Sequence, residues 1–283
     1  MVRKILRICA VILAAATLIA VSGCGGGDGG SATSALTATF LKVGKADAMV
    51  LQCGGEVMVI DTGEEDDGQE LVSFLTDRGI SSVDCLVITH YDKDHVGGAD
   101  TLVRSVEIER IILPDYEGSS TEYADFMAAV TEKGYTPQRI SQDASFSFGS
   151  AQVTVEPPQS YEITNANSEY DNNFSLVVKI DHGSNRLLFM GDAEKQRILS
   201  WIEQGKAEDC DFIKWPHHGV YNSALRELLE STTPEHAVIT CSDKNPPDSD
   251  TLELLAEKGV DVLMTKDGDI TLISDGEKLE LHQ

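Results

Sequence analysis

The segment Thr89-His90-Tyr91-Asp92-Lys93-Asp94-His95-Val96-Gly97-Gly98 constrains this chain more than any other stretch of it. Four side chains able to hold a metal fall within six residues, directly after the apolar run 85–89. Such a run reads as a strand buried on both faces, so the cluster sits on a loop where a buried strand ends. Imidazoles and carboxylates crowded at that point can converge on one or two cations. Without a cation, buried carboxylates there would be costly. The two glycines that follow, near the start of a helix, leave room for close backbone approach.

The same arrangement recurs. Asp61-Thr62-Gly63 follows a strand over 57–60, Gly191-Asp192 follows one over 186–190, and Pro216-His217-His218-Gly219 follows one over 212–215. Strand ends of a packed α/β structure gather on one rim, so these distant residues can share a site. Four of the seven histidines lie in just two of these motifs. His182, His236 and His282 stand alone and read as surface or satisfied structure.

Between the motifs, 36–43, 48–53 and 57–60 read as a meander with a turn at Gly54-Gly55. Residues 69–78 carry helical spacing and stop at Gly79. Further strands are expected at 110–113 and 152–155, a helix at 121–133, and a long polar loop over 157–173. A second hairpin spans 174–180 and 186–190. Strand then helix repeats through 212–215, 225–230, 237–240, 251–258 and 260–264, and strands at 270–273 and 278–281 close the chain. Strands mixed with helices in two halves predict an α/β fold, a four-layer αββα sandwich with two sheets inside, in one domain over 36–283.

The start of the chain reads as an export signal over 1–23. Arg3, Lys4 and Arg7 precede a short apolar stretch over 8–21, and Val21-Ser22-Gly23-Cys24 resembles a bacterial lipobox. That resemblance implies cleavage before Cys24, lipid on its sulfur, and a location on the extracytoplasmic face of the membrane. A membrane span is the alternative, and the apolar stretch is short for one. Residues 24–35 form a Gly/Ser-rich tether. Losing the three basic residues of the signal takes the formal charge from −25 to about −28. A field of that sign repels phosphate backbones, so a nucleic-acid partner needs local positive charge; the acidity otherwise keeps an exported protein soluble. Cys53, Cys85, Cys210 and Cys241 read as buried strand thiols, with oxidised pairs left open.

Taken together and in this order, His90-x-Asp92-x-Asp94-His95, Asp61-Thr62-Gly63, Gly191-Asp192 and Pro216-His217-His218-Gly219 resemble the metallo-β-lactamase superfamily. The closest likeness is to its branch related to the ComEC-type competence proteins. Val43-Gly44-Lys45-Ala46-Asp47-Ala48 is similar to that branch's V-G-Q-G-D-A, and Asn172-Asn173-Phe174-Ser175-Leu176 to its N-N-x-S-L. Three departures stand out: Asp92 replaces the superfamily's usual middle histidine, as in this branch. Asn172 and Asn173 stand where many members place a third-motif histidine. Pro247-Asp248 replaces a His-Pro.

The resemblance implies a hydrolase with one or two divalent ions, manganese or zinc. His90 and Asp92 would hold one ion, Asp94 and His95 the other, with Asp192 bridging. Either His217 or His218 would complete the ligand shell and the other would donate a proton, so Asp94, His217 and His218 stand at the chemistry. Asp61 tunes the site from behind its ligands or fixes a turn. Asn173 is a weak ligand, a substrate contact or a strand cap. Ser223 caps a helix whose N–H groups could face an anionic substrate. Trp215 reads as core, and Tyr221 as lining a cleft. Carboxylates in place of imidazole harden the site towards oxygen-loving ions, which favours phosphoesters, nucleic acid included. Two other functions fit: hydrolysis of a small ester, amide or lactone, and a non-catalytic binding module on a lipid anchor, suggested by the asparagine and Pro247-Asp248 departures.

Overall fold

Along the first three strands, side chains alternate between two apolar layers, and that alternation sets the architecture. In β1 (Leu36–Phe40), Leu36, Ala38 and Phe40 enter a layer between two sheets. In β2 (Ala48–Cys53) and β3 (Glu56–Thr62), Met49, Leu51, Met58 and Ile60 join that layer, while Val50, Val57 and Val59 face helices on the other side. The computed structural model describes residues 33–161 and 171–283. The expected signal 1–23, Cys24 and tether residues 25–32 lie outside the described residues, as do residues 162–170 of the polar loop.

After β3 come α1 (Gly68–Asp77), β4 (Ser82–Val87), the short helices α2 (Lys93–Val96) and α3 (Ala99–Ser105), β5 (Glu107–Pro114), α4 (Thr121–Lys133), β6 (Gln138–Ile140), β7 (Ala144–Phe148) and β8 (Ala151–Glu156). The second half holds β9 (Val177–His182), β10 (Asn185–Phe189), α5 (Lys195–Glu203), β11 (Phe212–Lys214), α6 (Leu225–Thr232), β12 (His236–Ile239), α7 (Ser249–Lys258), β13 (Asp261–Met264), β14 (Ile270–Ser274) and β15 (Leu279–His282). One sheet runs β15-β14-β1-β2-β3-β4-β5-β6 and the other β13-β12-β11-β10-β9-β8-β7. Phe40, Phe189 and Phe212 interlock between them, with ring centroids 5.4–6.0 Å apart. A second core covers the first sheet beneath α1, α3 and α4, and a third covers the other sheet beneath α5, α6 and α7. The expected four-layer sandwich is therefore the fold, and residues 33–283 cluster as one unit.

Several local readings need correction. β6, β7 and α5 are further elements: β6 has only three residues, β7 alternates Ala144, Phe146 and Phe148 with serines, and α5 carries Ile198, Trp201 and Ile202 at helical spacing. The strand expected from residue 174 begins at Val177, because residues 172–174 wind into a 3₁₀ turn. There Ser175 N–H donates to Asn172 O at 3.1 Å, and the Phe174 ring packs on Tyr116. The four cysteines are buried and free, Cys53 and Cys85 within β2 and β4 as expected, Cys210 and Cys241 just outside β11 and β12. No helix among the described residues is long and apolar enough to cross a membrane.

β3, β4 and β5 run parallel, as do β10, β11 and β12. The ends of β3, β4, β10, β11 and β12 thus open onto one rim, where the Asp61, His90–His95, Asp192 and His217-His218 motifs emerge. Gly98, just before α3, passes so close to the start of α1 that an added Cβ would lie 2.5 Å from Thr62 O and 2.6 Å from Gly68 Cα. Both obstacles are backbone and cannot move aside. Gly98→Ala should therefore cost about 1–3 kcal/mol of stability, read as a lowered urea midpoint at unchanged slope.

Candidate metal centre

Asp61 closes β3 with φ of 56°, a left-handed conformation that Asp tolerates better than most residues. That turn aims its carboxylate at the end of β4. Oδ1 accepts the Thr89 N–H and Oδ2 the Thr89 Oγ1–H, both at 2.7 Å. Oδ2 also lies 2.9 Å from His95 Nδ1. Of the two roles considered, Asp61 thus both fixes the turn and orients an imidazole.

All four motif histidines follow this pattern. His90 Nδ1 lies 3.1 Å from Thr89 Oγ1, His218 Nδ1 lies 2.9 Å from Thr240 Oγ1, and His217 Nδ1 pairs with Glu194 Oε1. With Nδ1 anchored, Nε2 is the atom left to each ring for a ligand. At His90, His95 and His218 that Nε2 is buried without a hydrogen bond, as is Asp192 Oδ1. Four orphaned polar atoms at one rim would be a steep cost without a cation. The donor set therefore fits a divalent metal.

Asp192 is central. Its Oδ1 stands 3.2 Å from His95 Nε2, and its Oδ2 stands 3.2 Å from His218 Nε2 and 3.9 Å from His217 Nε2. Asp94, His95, Asp192 and His218 each bring one ligand atom within 4.8 Å of the others. His90 stacks 4.1 Å from the His95 ring and places Nε2 3.7 Å from Asp92 Oδ2, so the pair forms the adjoining half. Asp171, not singled out from sequence, belongs to that half: burial and the Asp92 charge raise its carboxyl, against the pull of His90.

The geometry separates the two adjacent histidines. Both have left-handed backbone, φ of 45° and 50°, a strain typical of functional turns. His218 is fully buried inside the four-residue group, 3.5 Å from Asp94 Oδ2. His217 stays partly exposed at the edge, held by Glu194.

Two residues beneath the centre escaped the sequence reading. Lys214 is wholly buried and pairs with Asp47 Oδ2, while its Nζ lies 3.8 Å from Asp192 Oδ1. Asp47 also accepts the Thr240 Oγ1–H at 2.6 Å and lies 3.6 Å from His218 Nδ1. The signal was a lysine inside the apolar run Phe212-Ile213-Lys214-Trp215, and an aspartate within the Val43–Ala48 motif. Electrostatics favour anionic oxygens at Asp192, Asp47 and Asp94. Burial opposes charge on Asp192, yet His218 and His95 hold its carboxyl well below the usual range. Burial also opposes charge on Asp47 and on Asp94, and is outweighed by Lys214, His95 and His218 together at Asp47 and by His218 and His95 together at Asp94.

Other expectations resolve differently. Ser223 is exposed and caps nothing: Ala224 precedes α6, and its N–H donates to Asn222 Oδ1 at 3.0 Å. Asn222, not Ser223, reaches the site, donating to Glu194 Oε2 at 3.3 Å. Asn173 accepts the Arg197 N–H at 3.0 Å and so caps the first turn of α5, rather than the strand after it. Trp215 is core, as expected, and Tyr221 is exposed. Pro247-Asp248 braces the histidine turn: Asp248 N–H donates to Gly219 O at 3.0 Å, and Asp248 Oδ2 accepts the Tyr221 N–H at 2.8 Å.

Two sheets between helices, with a histidine–carboxylate centre at the strand ends, define a metal-dependent hydrolase fold. Residues 41–242 match the Metallo-beta-lactamase superfamily, and the chain belongs to it. ComE operon protein 3 of Bacillus subtilis is 28% identical over 201 residues, covering 69% of this chain and 25% of that protein. Recombination protein 2 of Haemophilus influenzae is 27% identical over 212 residues, covering 73% of this chain and 24% of that protein. The ComEC-like likeness read from the motifs therefore holds, and the chain spans about a quarter of the length of these relatives. Among solved structures, the metallo-β-lactamase fold protein YhfI of Bacillus subtilis superposes with a TM-score of 0.56 at 11% identity, covering 87% of this chain and all of YhfI. A diphosphatase of the PhnP family gives 0.51 at 14%, covering 85% of this chain and 97% of its own.

Asp61 acts through His95, so Asp61→Asn should weaken metal affinity about 10–100-fold while the four-residue group stays intact. Chelator competition measures that loss. Asp192→Ala should lower the metal bound per chain after equilibration with manganese or zinc, and retention at the wild-type level would remove Asp192 from the ligand set.

Proposed function

We propose that this protein is an extracytoplasmic, lipid-anchored phosphodiesterase of nuclease-like type, with one or two manganese or zinc ions. The observation that carries the reading is the donor set around Asp192, in which carboxylates of Asp92, Asp94 and Asp192 stand among His90, His95 and His218. Oxygen-rich shells suit hard cations, and hard cations suit phosphoryl oxygens. Relatives named for the ComE operon and for recombination support a nucleic-acid setting. The lipobox-like segment ending at Cys24 supports the location.

His90 and Asp92 would hold one ion, with Asp94, His95 and His218 about the other and Asp192 shared. An ion bound there acidifies water and offsets the negative charge of a phosphoryl group. The chain supplies the rest. Asp61, Thr89 and Thr240 hold three imidazoles in fixed orientation, so no reorganisation is needed during reaction. His217, anchored at Nδ1 by Glu194, keeps Nε2 at the rim. That atom donates the proton to the leaving oxygen. Asn222 holds Glu194 and steadies the pair.

Metal-loaded protein should hydrolyse bis(p-nitrophenyl) phosphate, and chelation should abolish the activity. On a phosphodiester with an alkoxide leaving group, such as a dinucleotide, His217→Gln should lower kcat about 10²–10⁴-fold, the range for a general acid, with bound metal unchanged and with little loss on bis(p-nitrophenyl) phosphate. The loss should shrink on substrates whose leaving group needs no proton. Cleavage of neutral esters with inert phosphodiesters would instead identify a small-molecule ester hydrolase.

A further inference from the structure

In a chain of formal charge −25 with 47 acidic residues, lysines should find carboxylates easily. Most do: among the described residues, Lys93, Lys133, Lys179, Lys206, Lys214, Lys258 and Lys266 each lie within 4.0 Å of one. Lys42, Lys45, Lys195, Lys244 and Lys278 form no such pair among the described residues, and three of them, Lys42, Lys45 and Lys244, share one cleft. It measures about 530 Å³, with Lys266 on a further wall, and only Glu64 and Asp243 line it with negative charge. Lys266 is itself paired with Asp267, and Asp269 accepts the Lys42 backbone N–H at 2.8 Å. The mobile cationic heads are thus the three unpaired ones. Four lysines against two carboxylates leave the cleft with net positive charge, which an anion would offset.

Its walls are continuations of the metal-site loops. Lys45 lies two residues from Asp47, within about 7 Å along an extended chain. Cys241 follows Thr240, which anchors His218. Glu64 follows Asp61-Thr62-Gly63 and lies 3.8 Å from Lys93, which stands between Asp92 and Asp94. The cleft is thus lined by residues that adjoin the metal-site segments in the chain.

We propose that the cleft walled by Lys42, Lys45 and Lys244 is an anion subsite that holds further phosphates of a flexible phosphodiester strand whose scissile linkage lies at the metal centre. This rests on the phosphodiesterase reading and narrows it: the substrate is a polymer with several phosphates, not a lone diester. The subsite also supplies the local positive charge that an acidic protein needs to gather such a strand.

The test compares the metal-loaded full chain with a K42Q/K45Q/K244Q variant. The three side chains are on the surface, and matching thermal unfolding of the two proteins checks the fold. The probe is a fluorescein-labelled twelve-nucleotide phosphorothioate oligothymidylate, which keeps the charge of each linkage but resists cleavage. Binding is followed by anisotropy against salt. Single strands give a slope near 0.7 per contacted phosphate, so losing three contacts should flatten log Kd against log salt by about two. At low salt, affinity should fall at least tenfold, while hydrolysis of bis(p-nitrophenyl) phosphate stays unchanged. Equal affinity and equal slope in the two proteins would overturn the subsite. Loss of oligonucleotide binding in the variant, with wild type inert towards every phosphodiester, would keep the subsite and overturn the reaction instead.

Discussion

Each of the four motif imidazoles is fixed at Nδ1 by an oxygen, and the centre depends on that. Asp61, Thr89, Thr240 and Glu194 supply those oxygens from four different segments. A ring bound on one side can turn only its other nitrogen to a ligand. The anchors also tie elements together: Asp61 joins the end of β3 to the end of β4, and Thr240 joins the end of β12 to the turn after β11. Fold and site are therefore held by overlapping contacts, and loosening one anchor slackens both.

Beneath the ligands lies a buried charge balance. Lys214 offsets Asp47 and stands near Asp192, in a place no water reaches. A lone buried lysine or aspartate would be strongly destabilising, whereas the pair also helps position a central carboxylate. The chain's overall acidity lies elsewhere, on exposed helices and loops. Long-range repulsion and local attraction can then coexist, because screening confines the former to about 10 Å at moderate salt.

The elements lost to the sequence reading share physical causes. β6 and β7 each lie at the edge of a different sheet, are short and are partly exposed: Gln138-Arg139-Ile140 is too brief to show a pattern, and Ala144–Phe148 alternates over only five residues. α5 opens on Lys195-Gln196-Arg197, yet Arg197 is buried, its guanidinium donating to Ser175 O and Glu156 O at 2.9 and 2.7 Å. A buried arginine satisfied by distant carbonyls looks like a surface residue in sequence. Ser223 has the residue type of a cap, but Ala224 holds the cap position of α6 and Asn222 closes the turn before it.

By itself the sequence determined the layers and singled out the candidate ligands. Period-two alternation assigns strand faces, and six of the seven proposed metal residues lie in short motifs whose donors are close in the chain. Only the tertiary structure decided which histidine enters the centre and which stays at its edge, since His217 and His218 are equivalent until a left-handed turn and partners from β12 and Glu194 tell them apart. It alone joined Asp47 to Lys214 across 167 positions of chain, and gathered Lys42, Lys45 and Lys244 into one cleft. Local patterns are written in neighbouring residues. Pairings between distant strand ends exist only once the sheets have packed.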